Sequence, residues 1–498
     1  MINSLNRVIP DFLTPYQGII KGKRKLIEEV VSKNKEKLNK SISDIFDIVP
    51  ITSGMTLSFH HHLRNGDDVL NMVLAEIKKR DLKNMILAPS AIFPVHAPMV
   101  ELIQNENIIK IYTNYVNGPV AETISQGYLK ELLIMDTHGG RPRAIESGEL
   151  AIDCAFIAVP TSDKEGNGNG IDGLSACGTL GYAISDLMYA KVKVVVTDHL
   201  VESVDRIDIE AKYVDFVVLV PRIGDANGIV SGTTKPTKDP VQLKIANDTA
   251  KLIEELGFIK QGMSFQTGAG GTSLAVAKAL ESKMIQKKIK GSFASGGITD
   301  FLVQMHESGL FERLYDVQCF DLEAVKSYKR NKYHFKMSAS KYGNPLDNPI
   351  VDELDVVILG ATEIDLDFNV NVTTDSHGNI IGGSGGHSDT AAGAKLTIIT
   401  TNLLKSRTSM IKEHVTTITT PGETIDCLVT ERGIAINPKR VDLLEKLKHS
   451  KLNIVAMEDL LKKALDITGI PQKRNHSNRI IGVVRYRDGS IIDSIYKI

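Results

Sequence analysis

Between Ser58 and Asp67 the chain reads SFHHHLRNGD, three consecutive histidines followed by an arginine and a glycine, at the junction of an apolar run and a helical pattern. Successive side chains of a strand point to opposite faces, so three adjacent histidines do not converge on one ion. A tight loop could bring two together, and a third protein ligand would then have to come from elsewhere. His96, His138, His199 and His387 are available but show no H-x-x-x-H spacing, so no metal is expected. The chemistry that remains is recognition of an anion by Arg64 with one or two of His60, His61 and His62, beside a helix that starts near Asp67. The alternative is buried structural histidine.

Two glycine-rich stretches could serve negative charge in another way. TGAGGTS, Thr267 to Ser273, lies between a strand and a helix, where backbone amides favour an anion. IGGSGGHSD, Ile381 to Asp389, has glycine at 382, 383, 385 and 386, more than a simple turn needs, and is flanked by small apolar residues. Such a concave, amide-rich loop can hold an oxyanion or a phosphate. DTHGGRPR, Asp136 to Arg143, carries Arg141 and Arg143 beside a Gly-Gly turn and could bind a carboxylate.

Two literal motif matches lack the right context. GNGIDG, Gly168 to Gly173, fits G-x-G-x-x-G but stands well past its strand. GGSGG, Gly382 to Gly386, fits G-x-S-x-G, but a nucleophile elbow needs a strand before it and a helix after, and a strand is expected to follow. A dinucleotide oxidoreductase is therefore disfavoured, and no nucleophile stands out.

These loops need a frame, and the sequence supplies one. Short apolar runs at Met55–Phe59, Asn84–Ala88, Ile108–Tyr112, Leu132–Met135, Cys154–Val159, Val192–Thr197 and Asp215–Val220 alternate with helical patterns such as Asp67–Arg80. The rhythm restarts with a helix at Val241–Leu256. Strands follow at Met263–Gln266, Ile289–Phe293, Val317–Phe320, Val356–Leu359 and Leu396–Thr400. Alternation of this kind predicts an α/β fold with a mainly parallel sheet in each half. GMTLSF at Gly54 and GMSFQT at Gly262 suggest two similar domains. The boundaries predicted are a helical extension over 1–48, domains over 49–238 and 239–437, and a lysine-rich extension over 438–498.

Composition limits the functions. A net charge of −1 provides no field for nucleic acid or an acidic membrane. The 4 cysteines form no C-x-x-C pair, which argues against zinc and a disulfide framework and for a reducing compartment. The N-terminus shows no signal-peptide pattern and no apolar run reaches the roughly 20 residues of a membrane helix, so a cytoplasmic location is expected.

Several segments resemble the CoA-transferase family of the acetyl-CoA hydrolase/transferase type. IGGSGGHSD after TEIDLDFNVN is similar to its "G-x-G-G" region, QTGAGGTSLAVAKAL to its "Q-x-G-x-G" loop, and PTSDKEGNG to its "A-D-x-x-G-N" loop. SFHHHLRNGDDVLNMV and MDTHGGRPRAIESGE further resemble the branch formed by citrate lyase alpha subunits. The resemblance implies two NagB/RpiA-like domains with the site between them. It also implies exchange of acetate for citrate on an acyl-carrier thioester, giving citryl-carrier and acetate. The thioester would belong to the carrier's phosphoribosyl-dephospho-CoA group, with CoA thioesters as surrogate and no cofactor bound covalently to this chain. Implied partners are a small acyl carrier protein (gamma), a citryl-carrier lyase (beta) and further copies of the chain.

The family's glutamate nucleophile has no counterpart in GSFASGGITD, Gly291 to Asp300, and Glu363 is the nearest alternative. Citrate is itself a carboxylate nucleophile, so direct attack on the thioester is the simpler course. On this reading the amides of Gly385, Gly386, Gly270 and Gly271 are catalytic. Gly268, Ala269, Gly383 and Ser384 contact the thioester arm, and His60, His61, His62, Arg64, Arg141 and His387 hold citrate. Transfer to another short acid, or a non-catalytic carboxylate- or nucleotide-binding scaffold, are the competing readings.

Overall fold

The structure is a computed structural model that describes residues 1–19, 22, 25–230, 237–268, 270–470 and 477–498. Two large sheets organise it. The first runs Leu38–Asn39, Phe216–Leu219, Val192–Thr197, Cys154–Ala158, Thr56–Phe59, Met85–Pro89, Ile108–Thr113, Leu133–Met135, Ile480–Arg485, Ile491–Tyr496. The second runs His334–Lys336, Phe311–Cys319, Gly291–Ile298, Ser264–Thr267, Val356–Gly360, Leu396–Thr400, Cys427–Thr430, Gly433–Ile436. All pairs are parallel except the hairpin at one edge of each sheet.

The two halves share one topology. Each begins with a central strand, Thr56–Phe59 or Ser264–Thr267, adds its next three strands on one side and its following three on the other. Strand order therefore reverses beside the first strand, and ligands of open parallel sheets bind beyond the strand ends at such a reversal. A second likeness follows the fifth strand. Asp163 accepts the backbone amides of Glu165 and Asn167, and Asp365 accepts those of Asp367 and Asn369. The shared pattern D-x-x-x-N-x-N, in SDKEGNGN and IDLDFNVN, builds the same turn twice.

The strands are apolar along their length because helices cover both faces. Leu57, Leu87, Ile111, Val194 and Val217 in the first half and Phe265, Ala294, Leu314, Ile358 and Ile398 in the second are fully buried. The helix Gly271–Lys287 packs on Pro240–Glu255.

The chain ends differ from the sequence reading. Among described residues before 49 the only helix is Ile42–Ile48, capped by Ser41. Charged, helix-forming composition over 17–47 is not enough without an amphipathic face to bury. Leu38–Asn39 instead extends the first sheet. The C-terminal segment is no separate appendage either. Ile480–Arg485 pairs with Leu133–Met135, and Ile9 and Tyr16 pack against this hairpin from the N-terminal side. No helix is long and apolar enough to cross a membrane among the described residues.

Candidate active site between the two sheets

The first central strand ends at Phe59, and the three histidines follow it. His60 and His62 turn the same way. Their Nδ1 atoms contact each other, and their Nε2 atoms face the amides of Ala158 and Tyr182. His61 makes different contacts. Its Nδ1 lies 2.5 Å from the Ser90 hydroxyl, and its ring stacks on Tyr182 at 4.4 Å and on His138 at 5.9 Å. Its Nε2 has no partner among the described residues. One histidine thus keeps a free nitrogen and two hold the loop in place.

Arg64 comes next, with φ 53°. A non-glycine residue in that region costs on the order of 1–3 kcal/mol and persists where the surroundings enforce it. The guanidinium lies 4.7 Å from the ring centre of Phe320, in the other half, and 5.5 Å from that of Phe93. It has no ion pair among the described residues. The groups that act on its charge are Tyr115 and Tyr182, and burial lowers its pKa. A desolvated cation without a counter-charge is an anion site in waiting.

His138 completes this side. Asn114 Nδ2 donates to its Nδ1 at 2.9 Å, which leaves the proton on Nε2. Burial and the nearby arginines pull its pKa down to about 3, so the ring is neutral. A Cβ added to Gly385 would stand 3.3 Å from that Nε2. The backbone of His138 donates to Gly385 O at 2.8 Å, and Thr137 bridges Gly385. The glycine loop of the second half is therefore seated directly on the Asp136–Gly139 loop of the first.

The second half contributes amides. Gly386 presses on Tyr342, since a Cβ there would come within 2.2 Å of the phenol oxygen, and Gln266 donates to that oxygen at 2.8 Å. The Gly386 amide has no partner among the described residues. Nor do those of Gly270 and Gly271, which open the helix Gly271–Lys287 without a side-chain cap. Gly385 and Gly268 differ from expectation, because their amides already donate to Asn114 O and Ile358 O. Gly383 lies against Asn114 O and Met135, Ser384 Oγ is buried on Ser388 Oγ, and Ala269 lies outside the described residues.

Three further expectations are corrected. Arg141 is buried and bound to Asp186 by its two terminal nitrogens at 2.8 and 2.9 Å, Ser58 Oγ and Ala88 O also accept from Nη2, and Nε has no partner. Its terminal nitrogens are thus committed within the first half. His387 has both nitrogens committed, Nδ1 to Thr420 Oγ1 at 2.7 Å and Nε2 to Gly360 O at 2.9 Å. It clamps the glycine loop to the end of Val356–Gly360. His60 and His62 are committed as described. Burial holds His60 and His387 near 4 and His61 and His62 well below the ordinary value, so none supplies positive charge near neutrality.

A helix, His387–Gly393, follows GGSGG where a strand was expected. Glu363 is unavailable as a nucleophile, because Ser376 Oγ, Asn371 Nδ2 and the Thr416 amide all donate to it. His138, Asn114, Tyr182, Tyr342 and Gln266 were missed as site residues. DTHGGRPR drew attention through its arginines, while the histidine that precedes them, His138, is the one beside the glycine loop.

The model of the family described as citrate lyase, alpha subunit, matches residues 35–498. The chain belongs to the citrate lyase alpha subunit family. It is 43% identical to the citrate lyase alpha chain of Klebsiella pneumoniae over 493 residues, covering 99% of this chain and 97% of that one. Against the alpha chain of Escherichia coli K12 it is 45% identical over 450 residues, covering 90% and 88%. A Streptococcus mutans structure described as the alpha subunit of citrate lyase, in complex with citrate, superposes with a TM-score of 0.96 at 41% identity, covering 100% of this chain and 99% of that one. The malonate decarboxylase alpha subunit of Acinetobacter baumannii shares the fold alone, with a TM-score of 0.63 at 14% identity over 87% and 92% of the two chains. As a citrate lyase alpha subunit the chain is the transferase component of a multi-subunit citrate lyase.

Proposed function

We propose that the crevice between the sheets exchanges acetate for citrate on a thioester, with citrate itself as the nucleophile. The observation that carries this is Arg64, a half-buried cation with no counter-ion among the described residues, flanked by the free Nε2 positions of His61 and His138. One guanidinium and two neutral imidazole N–H groups suit a ligand with several carboxylates. A relative in the same family was solved with citrate, which agrees with that chemistry.

The reaction follows in two displacements. A citrate carboxylate oxygen attacks the acetyl carbonyl carbon, and the tetrahedral oxyanion collapses to a citric–acetic anhydride with release of the thiolate. The thiolate then attacks the citryl carbonyl, and acetate leaves. The proton count is unchanged, so no general base is needed. Each oxyanion needs donors, and the Gly386 amide, next in the chain to the Gly385 that sits against His138, and His138 Nε2–H supply them. One such donor contributes about 2.7–4 kcal/mol of transition-state stabilisation. Holding the two reactants together supplies much of the remainder. The uncapped start of Gly271–Lys287 suits the phosphates of the thioester arm. The donor is the prosthetic group of an acyl carrier subunit, and a separate lyase subunit consumes the citryl thioester.

Purified chain incubated with acetyl-CoA and citrate should form citryl-CoA and acetate. Borohydride trapping followed by peptide mass spectrometry should find no reduced acyl-residue. An acyl-glutamate would replace direct attack with a covalent route.

A further inference from the structure

Outside this crevice the second half buries a mixed set of ligand atoms. The carboxylate of Asp316, the thiol of Cys319 and the imidazole of His334 lie within 4.8 Å of one another, and all three residues are buried. Asp316 Oδ2 is 2.9 Å from Cys319 Sγ and 3.1 Å from His334 Nε2. Two features of the fold bring them together. A bulge between Phe311–Cys319 and Gly291–Ile298 leaves Val317 without a partner, because Gly296 pairs with Asp316 and Gly297 with Gln318. That extra residue turns Cys319 onto the face of Asp316, where strict alternation would separate them. On the other side, His334–Lys336 pairs in register with Leu314 and Asp316, which sets His334 diagonally beside the carboxylate.

Asp316 Oδ1 is buried and has no hydrogen-bond partner. A fully buried carboxylate oxygen without a donor is costly. The surrounding groups also place the imidazole as a ligand. Ser327 Oγ lies 3.1 Å from His334 Nδ1 and can accept its proton, leaving the Nε2 lone pair toward Asp316 and Cys319. We propose that Asp316, Cys319 and His334 form a structural site for a zinc-type divalent ion, with both carboxylate oxygens, Sγ and Nε2 as the four donors. Zinc takes sulfur at about 2.3 Å and nitrogen or oxygen at about 2.0 to 2.2 Å, so modest opening of this cluster accommodates it. Thiolate and imidazole select against magnesium and calcium. Binding releases the thiol proton, and the ion, thiolate and carboxylate then sum to zero charge in the core. Because the residues are buried, the ion enters as the chain folds and stays afterwards. The pattern D-x-x-C followed at a distance by histidine escapes a search for paired cysteines.

The test uses the full, untagged chain expressed in minimal medium supplemented with zinc or with cobalt. Elemental analysis after gel filtration should give about one ion per chain. The cobalt form should show a thiolate-to-cobalt charge-transfer band. Cys319→Ser should lose that band and most of the metal, while Cys177→Ser keeps both. Metal-free natural chain from both media, or a metal content unchanged by Cys319→Ser and His334→Gln, would overturn the proposal. Should either variant fail to fold, the band in the natural chain decides alone: its presence supports a thiolate ligand and its absence rules one out.

Discussion

Asp389 of the second half accepts a hydrogen bond from Thr137 Oγ1 of the first at 2.7 Å through one oxygen, and from the Gly139 amide at 2.9 Å through the other. His138 lies between these two anchors. The same helix that carries Asp389 begins at the glycine loop, so one carboxylate fixes both walls of the crevice relative to each other. Arg485, from the C-terminal hairpin, braces the preceding residue, Asp136, at 2.5 and 2.7 Å.

This link carries a pH dependence. Burial raises the Asp389 pKa from 3.8 to about 6, and Arg487 and the two hydrogen bonds only partly offset it. The folded chain therefore holds a proton that the unfolded chain has released between those values. The associated stability is complete below pH 3.8 and is lost as pH rises through about 6. Asp493, raised to about 6 by the same cause, adds to the slope. Denaturation midpoints measured across this window should fall less steeply with pH in Asp389→Asn than in the natural chain.

Gly386 allows no side chain beside Tyr342. Gly386→Ala should cut kcat by about a hundredfold or more if it displaces one oxyanion donor. Removing the phenol oxygen makes room, so the double variant with Tyr342→Phe should regain part of the loss. Equal rates in the single and double variants would show that the contact is not the cause.

Arg141 should behave as a structural residue. Arg141→Ala leaves Asp186 buried without its partner, which typically costs about 3–5 kcal/mol. A large drop in Tm is expected, with the citrate KM of whatever remains folded unchanged. A raised KM at unchanged Tm would return Arg141 to the substrate.

Much of this arrangement was legible in the sequence. Apolar runs such as Val192–Thr197 and Leu396–Thr400 match the strands to the residue, because strands buried on both faces are apolar throughout. The repeated Gly-Met start pointed to two similar halves, and the shared strand order of the two sheets agrees. Arg64 was picked out by its place after the first strand. What escaped was decided by pairing. Arg141 and Arg64 look alike as letters, and only the fold brings Asp186 to one and leaves the other without a carboxylate. His387 and His138 differ in the same way: Gly360 O and Thr420 occupy both nitrogens of the first, while Asn114 occupies one of the second. The extensions were misread because 480–496 completes a sheet begun more than 400 residues earlier, a contact that local pattern does not contain.

The account rests on a division of labour, with the first half holding citrate through Arg64 and the second holding the thioester. Initial rates of Arg64→Ala with citrate and acetyl-CoA each varied test it most directly. A hydrogen bond to a charged group contributes about 1.5–3 kcal/mol. The citrate KM should therefore rise by about ten- to a hundredfold while the acetyl-CoA KM stays within about twofold. An unchanged citrate KM, or an equal rise in both, would contradict the account.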